Sequence, residues 1–335
     1  MTDKRLLFVY TRLSTFVKCD LGILEKEYLV SAFCVDTTTP GRQLLAMIRL
    51  LFYLAFNISK FDIVYIWFAD YHSFLPVFFA KLFGKKSYVV IGGYDVCRVR
   101  NLKYGSFVNP VRGFMAKYSM NNATLNLCVS RHISRIVKFI APRSKREVLY
   151  NGVAFDSASR SKSEESQPKE SIVLSVALCS TKQSFYIKGI DRYIEAARAA
   201  KDLKFIAVGL DKSNLSNLIG EIPDNLEIFS KLPQEELAKY YSRSSVYCQL
   251  SRSESFGVAL AEAMYHNCVP VIARTGGMPE VTGGYGFTVS GNDTSETVKA
   301  IRSALTMPSS DKYRIRVEGK FTIAARAITL AALLA

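Results

Sequence analysis

Short apolar runs recur along the first half of the chain, at residues 6–10, 29–35, 63–67, 87–91 and 125–129, each rich in β-branched and aromatic side chains. Runs of this length and composition predict strands. They are apolar nearly throughout instead of alternating, which predicts burial on both faces, as in a parallel sheet. Between them, residues 42–57 and 110–120 predict helices. The second half repeats the rhythm. Strands are predicted at 172–178, 204–208, 246–250 and 269–273, and helices at 189–200, 234–242, 257–266 and 294–306, with more helix in the tail. Regular strand–helix alternation predicts an α/β, doubly wound fold in each half.

Residues 156–170, DSASRSKSEESQPKE, break the pattern. They hold almost no apolar side chain and cannot bury a face, so a linker or surface loop is expected there. The expected organisation is a first domain at 1–155, the linker at 156–170, a second domain at 171–308 and a terminal helical segment at 309–335 that crosses back to the first domain. Open α/β sheets bind ligands beyond the carboxyl ends of their strands. With two such domains, the site is expected in the cleft between them.

Two apolar stretches call for a membrane test. Residues 44–58 include Arg49, and residues 61–83 include Asp62, Asp70, His72 and Lys81. A spanning helix needs roughly 18 or more uncharged residues, so neither is expected to span. The apolar run after Met1-Thr2-Asp3-Lys4-Arg5 is too short for a signal-peptide core. The seven cysteines include no C-x-x-C pair, and most lie in apolar stretches. That usage suits buried thiols in a reducing compartment. The expected location is cytoplasmic, peripheral on the cytoplasmic face of the membrane.

Charge narrows the choice of partners. Lys and Arg outnumber Asp and Glu by 44 to 29, a formal net charge of +15. Such an excess implies nucleic acid, phosphorylated substrates or an anionic membrane surface. No nucleic-acid-binding motif is present, and no nucleic-acid partner is expected. Basic residues of the first half, among them Lys85, Lys86, Arg112, Lys117, Arg135 and Lys138, accompany Phe107, Phe114 and Phe139. That mixture points to peripheral association with an anionic membrane.

The densest chemistry lies in Ser251-Arg252-Ser253-Glu254-Ser255-Phe256-Gly257-Val258-Ala259-Leu260-Ala261-Glu262-Ala263-Met264. The segment leaves a predicted strand and opens a predicted helix near Phe256 or Gly257, with Ser253 or Ser255 available as a cap. The first amides of a helix lack intrahelical partners and carry partial positive charge. This suits a diphosphate. Glu254 stands just before the helix. Glu262 lies about one and a half turns inside it and can accept from two adjacent hydroxyls, as on a ribose. Taken alone, each glutamate also fits an ordinary surface role.

The string resembles the E-x7-E motif of retaining glycosyltransferases, most closely glycosyltransferase family 4. Glu254 and Glu262 have the spacing, Phe256-Gly257 lies between them, and Gly276-Gly277-Met278-Pro279-Glu280-Val281 follows. Lys188-Gly189-Ile190-Asp191 looks like the family's Lys-Gly-aliphatic-Asp. The resemblance implies the GT-B fold: two Rossmann-like doubly wound domains facing across a cleft, the first for acceptor and the second for donor. It implies that Glu254 contacts the donor sugar and that Lys188 offsets charge on the departing diphosphate. It also implies that amides at Ser255, Phe256, Gly257 and Val258 hold the diphosphate and that Glu262 binds the ribose. The donor implied is a UDP or GDP sugar, with no cofactor and no metal. The acceptor implied is a glycan or a lipid-linked glycan.

Two positions depart from the family pattern. Relatives carry an arginine near Cys179, where Lys182 is the available substitute, and a histidine at Gly92. On the acceptor side the candidates are therefore Gly92, Gly93 and Asp95 after one strand, Ser14 and Thr15 after the first, and His132 after another. Asp95 equally fits a turn-forming role, and Ser14 or Thr15 equally fits a helix cap. Three other readings stay open. They are a GT-B epimerase or phosphorylase, a non-catalytic relative, and a protein that binds anionic surfaces.

Overall fold

The computed structural model describes residues 3–154, 169–308 and 310–335. Contacts divide the chain into two units. Residues 1–152 and 326–335 form one, and residues 153–325 form the other.

The first unit is built in the order β1 (Arg5–Tyr10), α1 (Thr15–Leu24), β2 (Leu29–Cys34), α2 (Pro40–Asn57), β3 (Ile63–Trp67), α3 (Tyr71–Leu82), β4 (Lys86–Ile91), α4 (Pro110–Asn122), β5 (Leu125–Cys128), α5 (Arg131–Ile140) and β6 (Arg146–Val148). The strands form one parallel sheet in the order β2-β1-β3-β4-β5-β6. The central strands match the predicted continuous burial: Leu6 to Val9, Ile63 to Trp67 and Val89 to Ile91 are essentially inaccessible. β2 does not. It is an edge strand, and Leu29 is 49% exposed.

The second unit runs β7 (Glu170–Cys179), α6 (Lys182–Ile187), α7 (Ile190–Ala199), β8 (Lys204–Leu210), α8 (Lys212–Ile219), β9 (Leu226–Phe229), α9 (Gln234–Arg243), β10 (Ser244–Gln249), α10 (Val258–Tyr265), β11 (Val269–Ala273), α11 (Met278–Thr282), β12 (Phe287–Val289), α12 (Thr294–Leu305) and α13 (Lys312–Lys320). Its parallel sheet has the order β12-β11-β10-β7-β8-β9. A last helix, α14 (Ile323–Leu334), follows. The strands absent from the sequence reading are β6, β9 and β12. Each has only three or four residues and lies at a sheet edge, so none carries an apolar run.

One expectation needs correction. The linker was placed at 156–170; residues 156–168 lie outside the described residues, and Glu170 already belongs to β7, where it pairs with Arg243. Lys169 donates from Nζ to the Ser244 carbonyl at 2.6 Å, which anchors the strand entry. Among the described residues, one helix with its following turn, residues 40–60, is long and apolar enough by length and composition to cross a membrane; Ala46, Leu50 and Leu54 of α2 are buried in the fold.

Arg326 is fully buried in the first unit and donates from Nη2 to Asp20 at 2.7 Å and from Nη1 to the Tyr150 carbonyl at 2.7 Å. Tyr65 completes the cluster by donating to Asp20 at 2.6 Å. Burial works against the Arg326 charge, but the Asp20 carboxylate more than offsets it and raises the guanidinium pKa. This network ties residues 326–335 into the first unit.

Candidate functional site

β10 ends at Gln249 beneath the loop that leads to α10. The helix begins at Val258, one or two residues later than its sequence suggests. Its N-cap is Gly257, with φ of 99° and no side-chain cap bond. Gly257, and not Ser253 or Ser255, stands at the N-cap position. A left-handed Gly257 turns the chain into the helix where an L side chain would be strained. Glycine brings no side-chain oxygen to the first turn, whose amides suit an incoming anion.

The glycines at 276 and 277 have a direct steric reason. The Gly277 amide donates to the Glu254 carbonyl at 2.9 Å. A Cβ at Gly276 would stand 1.6 Å from that carbonyl oxygen, and one at Gly277 would stand 2.2 Å from the Ser255 carbonyl. The downstream Gly-Gly string thus holds the loop containing Glu254 and Ser255 against its own backbone.

Lys188 closes α6 and donates from Nζ to Glu254 Oε2 at 2.8 Å. Gln249 donates from Nε2 to the same oxygen at 2.8 Å. Burial disfavours the Lys188 ammonium, yet the Glu254 carboxylate outweighs burial and the Lys188 pKa is raised. The lysine stays charged. The last residue of its string, Asp191, forms a two-bond pair with Arg252, at 2.6 Å for each bond. That pair fastens the start of α7 to the loop before α10. Lys182 is exposed at the first residue of α6 and takes no part in the Lys188–Glu254 contact.

Glu262 is half-buried on α10. Tyr241 donates to its Oε2 at 3.0 Å, and Gln234 approaches Oε1 at 3.5 Å. Burial raises the Glu262 pKa, and these two donors partly counter the effect. Gln249, Tyr241 and Gln234 escaped sequence reasoning, because a polar residue at a strand end or inside a helix carries no motif. Phe256 is buried, and its ring meets Phe321 edge-on at 5.2 Å.

The acceptor-side candidates follow three strands of the first unit, with Gly92, Gly93 and Asp95 after β4, Ser14 and Thr15 after β1, and His132 after β5. Asp95 is fully buried and accepts from the amides of Gly93 at 2.6 Å, Ala69 at 3.0 Å and Gly92 at 3.2 Å. It organises the turn, as its turn-forming alternative requires, and its oxygens are taken up by backbone amides. Its pKa is raised to about 7 because burial dominates, with the three amides acting in the opposite sense. A Cβ at Gly92 would stand 2.2 Å from the Phe68 ring, so glycine is required there. Ser14 occupies the N-cap of α1 without making a cap bond, and its buried hydroxyl has no hydrogen-bond partner among the described residues. Thr15 is exposed at the first residue of that helix, and His132 is half-buried in the first turn of α5.

A cavity of about 330 Å³ nevertheless opens in the first unit, beyond the carboxyl ends of its strands. Thr11, Thr37, Gln43, Tyr71, Tyr94 and Arg112 line it, and the sequence reading named none of them as acceptor residues. Arg112 forms a bidentate pair with Asp70 (Nε to Oδ1, 2.9 Å) and lies over the rings of Tyr71 and Tyr94 at 5.3 and 5.6 Å. His72 joins the lining. Its Nε2 lies 2.8 Å from the Trp67 carbonyl, and its buried Nδ1 has no hydrogen-bond partner among the described residues. Paired planar polar groups beside aromatic faces suit a polyhydroxyl ligand.

Residues 158–319 match the sequence profile of the family Glycosyl transferases group 1. The sulfoquinovosyl transferase SQD2 of Arabidopsis thaliana is 28% identical over 129 residues, which cover 35% of this chain. The matched part is 25% of that relative's length. Among solved structures, the sucrose-phosphate synthase of Thermosynechococcus elongatus superposes with a TM-score of 0.77 at 14% identity, over 99% of this chain and 98% of its own. Anabaena HepE in complex with UDP gives 0.73 at 16% identity, over 98% and 99%. A glycosyltransferase from Rickettsia africae gives 0.71 at 15% identity, over 99% and 98%. The chain therefore has the GT-B fold of two α/β units, and the part that matches the group 1 glycosyl transferases contains Lys188, Glu254 and Glu262.

Proposed function

We propose that this protein is a retaining glycosyltransferase that moves a sugar from a nucleoside diphosphate to a hydroxyl of a glycan or lipid-linked acceptor. The observation that carries the proposal is the Lys188–Glu254 contact of 2.8 Å, beside an uncapped helix N-terminus and in the same unit as Glu262. UDP is the favoured nucleotide, with GDP second. Anabaena HepE has been solved with UDP and with UDP-glucose, which supports this order. Synthesis of a cell-surface polysaccharide or glycolipid suits the acceptor class.

In this reading the first-turn amides of α10 and the Lys188 ammonium receive the diphosphate. Glu262 accepts from the ribose hydroxyls, steadied by Tyr241. Glu254 holds the donor sugar through its hydroxyls while remaining paired with Lys188. The bond from the anomeric carbon to the phosphate oxygen breaks, and its electrons go to the phosphate. Lys188 stabilises that developing charge without a metal. The acceptor oxygen attacks from the face the phosphate leaves, and its proton passes to the departing phosphate oxygen. Retention follows from that shared face. A related solved structure, of trehalose-6-phosphate synthase, concerns glycosyl transfer with retention and supports the same outcome here.

The test is a transfer assay with a panel of UDP and GDP sugars and an acceptor panel. Glu254→Ala is expected to lower turnover by roughly 10²–10³-fold while nucleotide affinity changes little. Undiminished transfer by that variant removes Glu254 from the mechanism. Nucleotide binding by the wild type without transfer to any acceptor supports the non-catalytic reading.

A further inference from the structure

The cavity of the first unit holds a cation that is already committed. Asp70 is the buried N-cap of α3. It accepts from the Tyr71 amide at 2.8 Å, from Ser106 Oγ at 3.0 Å and from two donors of Arg112. The pair closes its own charge. Among the described residues, and His72 apart, the other side chains that line the cavity carry none at neutral pH.

His72 decides what can complete the site. It is the second residue of α3 and is buried. Its Nε2 stands 2.8 Å from the Trp67 carbonyl. A carbonyl only accepts, so Nε2 carries a proton. Burial lowers the His72 pKa and, with Arg112, outweighs the Trp67 carbonyl and Asp70, which raise it. The ring is therefore neutral, and Nδ1 keeps a bare lone pair. That atom is buried in the lining and has no hydrogen-bond partner among the described residues. Buried polar atoms rarely go unpaired, and one that lines a cavity calls for a ligand. The backbone beside it gives a second, independent sign. Phe68 also lines the cavity, at φ of 69°, a left-handed conformation that a bulky side chain disfavours. Strain of this kind gathers at ligand sites.

We propose that this cavity takes an uncharged sugar of the acceptor and that one hydroxyl of that sugar donates to His72 Nδ1. Only a donor can complete a bare lone pair, and an anionic oxygen placed there would be repelled by it. The chain's excess of Lys and Arg points to phosphorylated substrates, but inside this cavity the one guanidinium is bound to Asp70. Hydroxyls are selected over phosphate. Thr11, Thr37 and Gln43 offer further polar contacts to a polyol. The proposal rests on the transferase reading for its reaction, whereas the binding belongs to the first unit and needs no nucleotide.

The chain has three histidines, so their ring nitrogens can be followed by NMR in the full-length, nitrogen-labelled protein. His72→Gln assigns the His72 signals; glutamine can keep an N–H for the Trp67 carbonyl and has no ring nitrogen in place of Nδ1. At neutral pH, His72 is expected to show a protonated Nε2 and a bare Nδ1. Methyl glycosides of neutral hexoses should move the Nδ1 resonance toward that of a hydrogen-bonded nitrogen, and inorganic phosphate should not. In transfer assays, His72→Gln should raise the acceptor KM by about three- to tenfold with UDP affinity unchanged. A deoxy acceptor that costs the wild type this factor should cost the variant nothing, because both changes remove the same bond. A protonated Nδ1 in the free protein, no response to any glycoside, or a larger response to inorganic phosphate overturns the proposal. So does an acceptor KM that the variant leaves unchanged. A response of Nδ1 to a glycoside without transfer to any acceptor supports the sugar site and counts against the transferase reading alone.

Discussion

The Lys188 ammonium and the Glu254 carboxylate meet at 2.8 Å although 66 residues separate them in sequence. The Glu254 side chain is only 13% exposed, and Lys188 and Gln249 both donate to its Oε2. Lys188→Ala removes both the cation expected to meet the diphosphate and the counter-charge of Glu254. It should lower turnover by roughly 10²–10³-fold and destabilise the fold by about 1–3 kcal/mol. Glu254→Gln combined with Lys188→Ala should recover part of the stability and none of the activity. Urea denaturation of the four proteins, paired with turnover, checks this; additive stability losses would show the two groups to be uncoupled.

Tyr241 steadies Glu262 through a 3.0 Å hydrogen bond. Tyr241→Phe keeps the ring and removes the donor. Nucleotide affinity should fall by roughly three- to tenfold, the cost of about one ordinary hydrogen bond. The Glu262 pKa should rise further, because a donor that favours the ionised form is lost. Calorimetric affinity measured between pH 5 and 7 reads both effects. Equal affinities across that range would separate Tyr241 from the nucleotide site.

Asp95 gives a pH dependence with a defined sign. Burial raises its folded pKa to about 7, above the 3.8 of the free side chain. Its stabilising contribution is fully present below pH 3.8 and is lost as pH rises through about 7, because the unfolded chain ionises first. The loss is on the order of 4 kcal/mol. Asp95→Asn cannot ionise and should lack that slope, while also losing about 1–3 kcal/mol where its amide group replaces an acceptor oxygen. Denaturant midpoints for both proteins at pH 4.5 and pH 8 test this; parallel profiles would refute the assignment.

The buried pair of Arg326 and Asp20 holds residues 326–335 in the first unit. Arg326→Ala removes the guanidinium that faces Asp20, leaves Tyr65 donating to it, and deletes the bonds to the Leu149 and Tyr150 carbonyls. A loss of about 3–5 kcal/mol is expected. Wild-type stability in Arg326→Ala, measured by urea unfolding, would contradict the role given to this cluster.

The strand-to-helix segment proposed to meet the donor was legible in the sequence because its geometry is local. One strand-to-helix segment carries Glu254, Gly257 and Glu262, and the Gly276-Gly277 string packs on that same loop. Lys188 was legible through the resemblance its string bears to a family pattern, although its contact with Glu254 joins distant positions. The cavity of the first unit was not legible. Gln43 comes from α2, Asp70 and Tyr71 from the start of α3, and Arg112 from α4, and no motif spacing joins the three helices. Asp95 drew attention as a polar residue after a strand, a place that turn-forming and ligand-binding residues occupy alike. The short edge strands were missed because half-exposed edges need no apolar run. Ser253 and Ser255 suggested caps by type alone, while the backbone used Gly257 instead.

The most direct test of the central claim is calorimetric titration of the full-length protein with UDP, GDP and their sugars. The account predicts submillimolar affinity for one nucleotide, with UDP first. It also predicts about a tenfold loss or more in Glu262→Ala with circular dichroism unchanged. Failure to bind any of these nucleotides, or full affinity in Glu262→Ala, would contradict it.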